Sequence, residues 1–283
     1  MTEKHIPVLL DAVLDALGDI SGKTIVDCTF GAGGYSRAFL ARGANVIAFD
    51  RDANVLEDAN TLMDSFGQRF RFIASPFSGL ADLDETVDAV VFDLGISSMQ
   101  IDTPERGFSF RFDAPLDMRM SPNGETAAEF IATKSVAELA DVLRTYGDVK
   151  KAAVLARAIK DALPQTTFEL RDLVHNPRDV APVFQALRIA VNDEMGELEH
   201  ALSVVPGLLN VGGKCVCVTF HSLEDRIVKN TFRAWTTAPG DPRLPTVAAA
   251  PFELIKPAVP TQCELEHNPR ARSAHMRGVI KSC

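Results

Sequence analysis

Residues 24–42 constrain this chain more than any other stretch. An apolar run, Thr24 to Cys28, breaks at Gly31, Gly33 and Gly34 and resumes as an amphipathic segment from Ser36 to Arg42. That order reads as a buried strand, a tight turn and a helix. A second apolar run, Asn45–Phe49, ends in Asp50. Strand, glycine turn, helix and an acid closing the next strand make one half of a nucleotide-binding sheet. The glycines let backbone approach a ligand, and the helix start offers free N–H groups.

The alternation continues. Asn54–Phe66 is helical, Phe70–Ala74 a third strand, and Val87–Phe92 a fourth that runs into "DLG". Strands alternating with helices predict an α/β fold, a doubly wound and mostly parallel sheet with helices on both faces. From residue 101 to about 182 the strand signal stops, "GFSFRF" excepted. Helical segments replace it: Ala127–Thr133, Val136–Tyr146, Lys150–Leu163 and Phe168–His175. The α/β pattern returns with a long helix from Val183 to about Leu202, a fifth strand at Lys214–Phe220, and a helix opened by "HSLEDRIVKNTFRAW". Residues 238–263, rich in Pro and Ala, read as a loop. The expected domains are a core of 1–101 and 183–283 and a helical insertion of 102–182.

The hydrophobic share of 46% over 283 residues supports a full-sized core. No apolar run approaches the roughly 20 residues of a membrane span, and residues 1–17 show no export signal. Five cysteines form no C-x-x-C pair, which points to a reducing cytoplasm. Cys215 and Cys217 alternate along a strand and are expected on one packed side. The net charge of −9 argues against a protein basic all over. One stretch differs: His267 to Cys283 carries Arg270, Arg272, Arg277 and Lys281 and no acid. It reads either as a solvated tail or as a local phosphate contact.

Two details separate cofactor classes. A dinucleotide fingerprint, G-x-G-x-x-G, requires a third glycine at position 36, where this chain has Ser36. The spacing D-x-x-x-G-x-G-G from Asp27 is closer to the loop of S-adenosylmethionine (SAM) methyltransferases. Further motifs follow in order: "HIPVLL" at 5–10, "DCTFGAGGYSR" at 27–37, "DRD" at 50–52, "DLGISSMQID" at 93–102, "RGFSFRFDAPLDMRM" at 106–120, "FQALRIAVNDE" at 184–194, "FHSLEDRIVK" at 220–229 and "NPRARS" at 268–273. Together they closely resemble the bacterial 16S rRNA cytosine-N4 methyltransferase family, RsmH (MraW), over nearly the whole chain.

The resemblance implies a Rossmann-like methyltransferase core with an inserted small helical domain. It implies SAM as cofactor, no metal, no membrane, and as substrate a decoding-centre (P-site) cytidine of 16S rRNA in the assembled small ribosomal subunit. A homodimer is left open. The cofactor residues implied are Gly33, Gly34, Tyr35, Asp50, Phe77, Asp93 and Gln100. Many members have His where this chain has Tyr35, so its backbone is the expected contact. Asp50 is expected on the ribose, Phe77 on the adenine side, and Gln100 closing over the cofactor.

The exocyclic N4 of cytosine is a poor nucleophile, because its lone pair is delocalised into the ring. Catalysis needs an in-line approach and an acceptor for the amino hydrogens. Asp93 ends the fourth strand, the edge where open α/β sheets place ligand-facing groups. Phe108, Phe110 and Phe112 alternate as on an extended strand and are candidates to wall a base pocket or to form a hydrophobic rib. Asp113 and Asp117 are candidate acceptors; for either, the alternative is an ion pair with Arg111 or Arg119. His221 is the third catalytic candidate, whereas Ser222 with Asp225 fits a helix N-cap box. The target base must leave its stack, and a cleft between core and insertion is the expected receptor. Where many members carry H-P-A-T-R, this chain reads Arg178-Asp179-Val180-Ala181-Pro182-Val183, and Ala12 stands where an acid is common. These departures motivate two alternatives: a SAM-binding ribosome-assembly protein with weak or no turnover, and an amino-methyltransferase for another nucleic acid.

Overall fold

The computed structural model describes residues 7–238 and 249–283, so His5 and Ile6 of the first motif lie outside the described residues. In chain order the elements are α1 Leu10–Leu17, β1 Thr24–Asp27, α2 Gly34–Ala41, β2 Asn45–Asp50, α3 Leu56–Phe66, β3 Phe70–Ala74, β4 Val87–Asp93, α4 Ser98–Asp102, α5 Ala127–Thr133, α6 Val136–Gly147, α7 Ala152–Ala162, α8 Thr167–Leu173, α9 Pro177–Asn192, α10 Glu194–Leu208, β5 Leu209–Thr219, α11 Ser222–Trp235, β6 Phe252–Ala258, α12 Gln262–His267 and β7 His275–Lys281. They fall into two compact units. One holds the residues up to Gly95 together with Gly196–Cys283; the other is Ile96–Met195.

In the first unit the strands form one sheet in the order β3-β2-β1-β4-β5-β7-β6. The first five run parallel, and β7 is antiparallel to both β5 and β6. The central strands are near-continuous apolar runs because helices cover both faces. Val26, Phe49, Val90, Phe92, Cys215 and Cys217 all belong to one buried cluster. The order reverses direction between β1 and β4, the switch point at which such sheets open a crevice beyond their carboxyl ends.

Two expectations about this unit change. Residues 238–263 were expected to be a loop, but they contain β6. Its burial alternates weakly, and Leu254 is exposed, because an edge strand covers little. The 267–283 stretch is not free of acids in space. Arg277 Nε and Nη2 fork onto Asp225 Oδ1 and Oδ2 at 2.7 and 2.9 Å. Lys281 Nζ donates to the carbonyls of Pro206 and Leu209. Arg277 ties β7 to α11 and Lys281 ties it to the end of α10 and the start of β5, leaving Arg270 and Arg272 as the exposed arginines of the stretch.

The second unit is helical around its own core, which includes Leu116, Met118, Ile131, Leu139, Leu143, Ile159, Val183 and Leu187. Its helix starts are written locally. Thr126 with Glu129, Ser135 with Glu138, and Thr166 with Glu169 close reciprocal capping boxes at α5, α6 and α8. The long helix expected from Val183 to about Leu202 is two helices, α9 and α10, parted at Asp193 in a left-handed conformation (φ 47°). "GFSFRF" is not a strand. Gly107 takes a left-handed turn, and a Cβ there would meet the Asp117 amide nitrogen at 2.7 Å. The phenylalanines then diverge: Phe108 is buried, Phe110 packs edge-on against Phe184, and Phe112 is 55% exposed. Among the described residues no helix is long and apolar enough to cross a membrane.

Candidate cofactor site at the carboxyl edge of the core sheet

Three neighbouring strands, β2, β1 and β4, end in Asp50, Asp27 and Asp93. Asp27 is fully buried. It accepts from Ser36 Oγ at 2.7 Å and from the Thr29 amide at 3.3 Å. Ser36, at the position of the missing third glycine, thus anchors the loop to the strand that precedes it. Burial pushes the Asp27 carboxyl up to about 6 against these hydrogen bonds.

The loop itself is held on both sides. The Gly31 amide donates to Asp50 Oδ2 at 2.8 Å, and Gly33, at φ 74°, caps α2. A Cβ on Gly33 would come within 2.8 Å of the Phe30 ring, and one on Gly34 would strike Pro7. The first-turn amides of α2, from Gly34 and Tyr35, have no intrahelical acceptor and face out of the helix start. The Tyr35 side chain points the other way. It is buried, and its hydroxyl donates to the Val8 carbonyl, so only its backbone belongs to the loop surface.

Asp50 Oδ1 accepts from the Asp52 amide at 2.9 Å, so each carboxylate oxygen has one protein donor and one lone-pair site left over. Burial raises its affinity for a proton, and the two amides partly offset that. Phe77 is half-buried, packed edge-on against Phe92 at 5.7 Å between ring centres.

Asp93 differs from its neighbours. Its amide donates to Thr29 Oγ1 at 2.7 Å, which fixes the backbone. Its Oδ1 is enclosed by protein and has no hydrogen-bond partner. Burial, then the nearby charges of Asp27 and Glu224, push its carboxyl well above the usual range.

His221 opens α11, a role expected of Ser222. Its Nδ1 accepts from the Glu224 amide at 3.4 Å, and the Glu224 carboxylate accepts from the amides of Phe220 and His221 at 2.8 and 3.2 Å. The box sits one residue earlier than expected because Glu224, not Asp225, turns inward; Asp225 holds Arg277. His221 Nε2 lies 2.9 Å from Glu224 Oε1 without a well-directed hydrogen bond. With Nδ1 accepting, the neutral ring carries its proton on Nε2 and has no free lone pair as placed.

The other two predicted residues belong to the second unit. Gln100 Oε1 accepts from the Ser97 amide at 3.0 Å, closing a capping box on α4. Asp117 forms the ion pair set out as its alternative role: Arg119 Nε and Nη2 reach Oδ1 and Oδ2 at 2.7 and 2.9 Å. Partial burial alone would raise that carboxyl, but the hydrogen bonds and charge of Arg119 hold it low. Asp113 Oδ1 accepts from the Phe168 amide at 3.3 Å.

Sequence reasoning passed over Asp27, Thr29 and Glu224, which build the surroundings of Asp93. The sequence did carry a signal: all three lie within two residues of a strand's carboxyl end or a helix's first turn, where ligand-facing groups gather.

A profile of the MraW methylase family matches residues 2–282. The chain belongs to the MraW methylase family. Ribosomal RNA small subunit methyltransferase H of Rhizobium meliloti is 45% identical to it, across 99% of this chain and 88% of the relative. The protein of the same name from Caulobacter vibrioides is 45% identical, across 98% and 96%. Among solved structures, an rRNA methylase from Streptococcus thermophilus superposes with a TM-score of 0.44 at 14% identity over 99% of both chains, a likeness too distant to argue from. At the carboxyl edge of β1, β2 and β4, Asp50 keeps spare lone pairs and Asp93 Oδ1 has no partner.

Proposed function

We propose that this chain uses SAM to methylate RNA of the small ribosomal subunit, at N4 of a decoding-centre cytidine of 16S rRNA in the assembled particle. The observation that carries the reading is the full-length family match, together with near-full-length relatives named for small-subunit rRNA methylation.

The residues at the carboxyl edge fit the cofactor, and the enclosed, unpartnered Asp93 Oδ1 is the test of fit. When bound, the cofactor supplies a methyl group already activated on a sulfonium. Asp50 has lone pairs for the two ribose hydroxyls. The Gly34 and Tyr35 amides offer donors to the methionine carboxylate. Phe77 supplies an apolar face to the adenine. Asp93 supplies an acceptor for the cytosine amino group, which gathers electron density on N4 as the methyl transfers. The core unit is the cofactor-holding part in this reading, and the helical unit is the substrate-side part.

The decisive experiment is methylation of small subunits purified from a strain lacking this gene, followed by mass analysis of the nucleosides. N4-methylcytidine at one site is the expected product; a methyl on another nucleoside would overturn the assignment. The altered 178–183 stretch favours a second reading, a SAM-binding assembly factor with weak turnover. In the structure that stretch forms the N-terminal turns of α9, with Val180 and Val183 buried in the second unit. SAM binding without methyl transfer in the same assay would select this second reading.

A further inference from the structure

A carboxylate enclosed by protein without a donor is costly. Asp27 meets that cost with Ser36 and Thr29, and Glu224 with the amides of Phe220 and His221. Asp93 has one oxygen with no partner. The titratable groups that face it from the surrounding core elements are Asp27 on β1, the Tyr35 phenol on α2 and Glu224 on α11. None is a cation, and the His221 ring of α11 is turned onto Glu224. Asp93 is half-buried, and its enclosed oxygen is satisfied by a proton, by a positive charge from outside or by a ligand's donor.

We propose that Asp93 is the counter-charge for the cationic methionine end of the cofactor, and that its carboxyl releases its proton to solvent as that end binds. The inference rests on the SAM reading and deepens it. The balance is simple. The O–H bond of Asp93 breaks, the proton passes to buffer, and the arriving positive charge stands where the proton was. Loading the cofactor thereby creates the ionised acceptor that the amino group needs, so the protein without cofactor lacks it. Two cations could drive the exchange, the sulfonium and the α-ammonium, and they differ in one respect. The demethylated product, S-adenosylhomocysteine, keeps the ammonium and lacks the sulfonium.

Titration calorimetry of the full chain in two buffers of different ionisation enthalpy reads the proton directly. Across a pH series, release approaching one proton per SAM is expected below the titration of Asp93. Affinity should fall about tenfold for each pH unit of acidification below the titration of Asp93. Asp93→Asn should bind with no proton released and no such slope. Infrared difference spectra of the wild-type protein give the same answer without a variant: a protonated-carboxyl stretch should vanish on adding SAM. Release with both SAM and S-adenosylhomocysteine assigns the ammonium; release with SAM alone assigns the sulfonium. SAM binding with heat independent of buffer, or proton release that survives Asp93→Asn, overturns the inference and leaves the cofactor reading standing. No SAM binding at all removes both.

Discussion

Asp93 in the core and Asp117 in the helical unit are the same side chain in opposite states. Asp93 ends a buried strand among acids, with an oxygen that no donor reaches. Asp117 follows a buried leucine in a loop, with Arg119 two residues on closing a two-pronged fork. The first leaves an acceptor unfilled; the second is complete. Polar residues at a binding site are better recognised by what they lack than by residue type, because buried polar groups elsewhere are satisfied within the protein.

The largest effect expected from this contrast is on stability against pH. Asp27, like Asp93, binds its proton more tightly in the folded chain, so the fold loses stability as pH rises from the ordinary 3.8 to about 6. A shift of that size corresponds to about 3 kcal/mol. Asp27→Asn keeps an acceptor for Thr29 and should make the decline shallower by the share of Asp27, the rest coming from Asp50 and Asp93; urea melts at about pH 4 and about pH 8 check it. An equal decline in the variant would mean that other groups carry the pH dependence.

Next is the cofactor. Asp50→Ala removes a charged acceptor worth about 1.5–3 kcal/mol and should weaken SAM binding about 10- to 100-fold. Calorimetry measures it, and unchanged affinity would take Asp50 out of the site. For Asp117→Asn the expected pattern is the reverse: normal SAM affinity and a loss of about 1 kcal/mol in stability, since the pair with Arg119 is partly exposed. The wild-type contribution of this pair is present above the ordinary carboxylate range and lost as pH falls through the lowered value. A stable Asp117→Asn protein with a slow single-turnover rate would break the contrast, placing Asp117 in the chemistry. Smallest is Arg270→Ala with Arg272→Ala. This double variant should leave folding and SAM binding intact and lower the salt dependence of subunit binding by up to about two charges. Arg277 does not belong in that set, because its loss would leave Asp225 without its partner.

Much of the core was legible because its signals are local. β3 and α5 have the bounds that their apolar runs and caps predict. The misses share a cause: each depends on a partner far away in sequence. The break at Asp193 is invisible in "IAVNDEMGELEHAL", which keeps helical spacing throughout. It accompanies Asn192, which accepts from the Met120 amide and donates to the Met118 carbonyl, each at 2.7 Å. The alternation of "GFSFRF" mimics a strand, but no neighbouring strand pairs with it. β6 hid in a Pro-rich stretch because an edge strand needs little apolar surface. At the site, the sequence placed Asp50 and Asp93 at strand ends but could not show that Tyr35 faces inward; the Gln100 cap is the exception to the rule of distant partners, being written locally as Ser97-x-x-Gln100.

The Phe30 ring beneath Gly33 has a consequence for how this loop is read in a mutational screen. Any side chain at position 33 meets that ring before it meets a ligand. A screen scored by methylation would therefore mark Gly33 as a binding residue, and one scored by abundance would mark it as a folding residue, from the same lesion. Pairing Gly33→Ala with a smaller residue at Phe30 relieves only the collision; the left-handed backbone at φ 74° remains strained and the buried Phe30 leaves a cavity, so abundance should not recover. Methylation per folded molecule in Gly33→Ala, with abundance measured alongside, shows how far the glycine serves the cofactor.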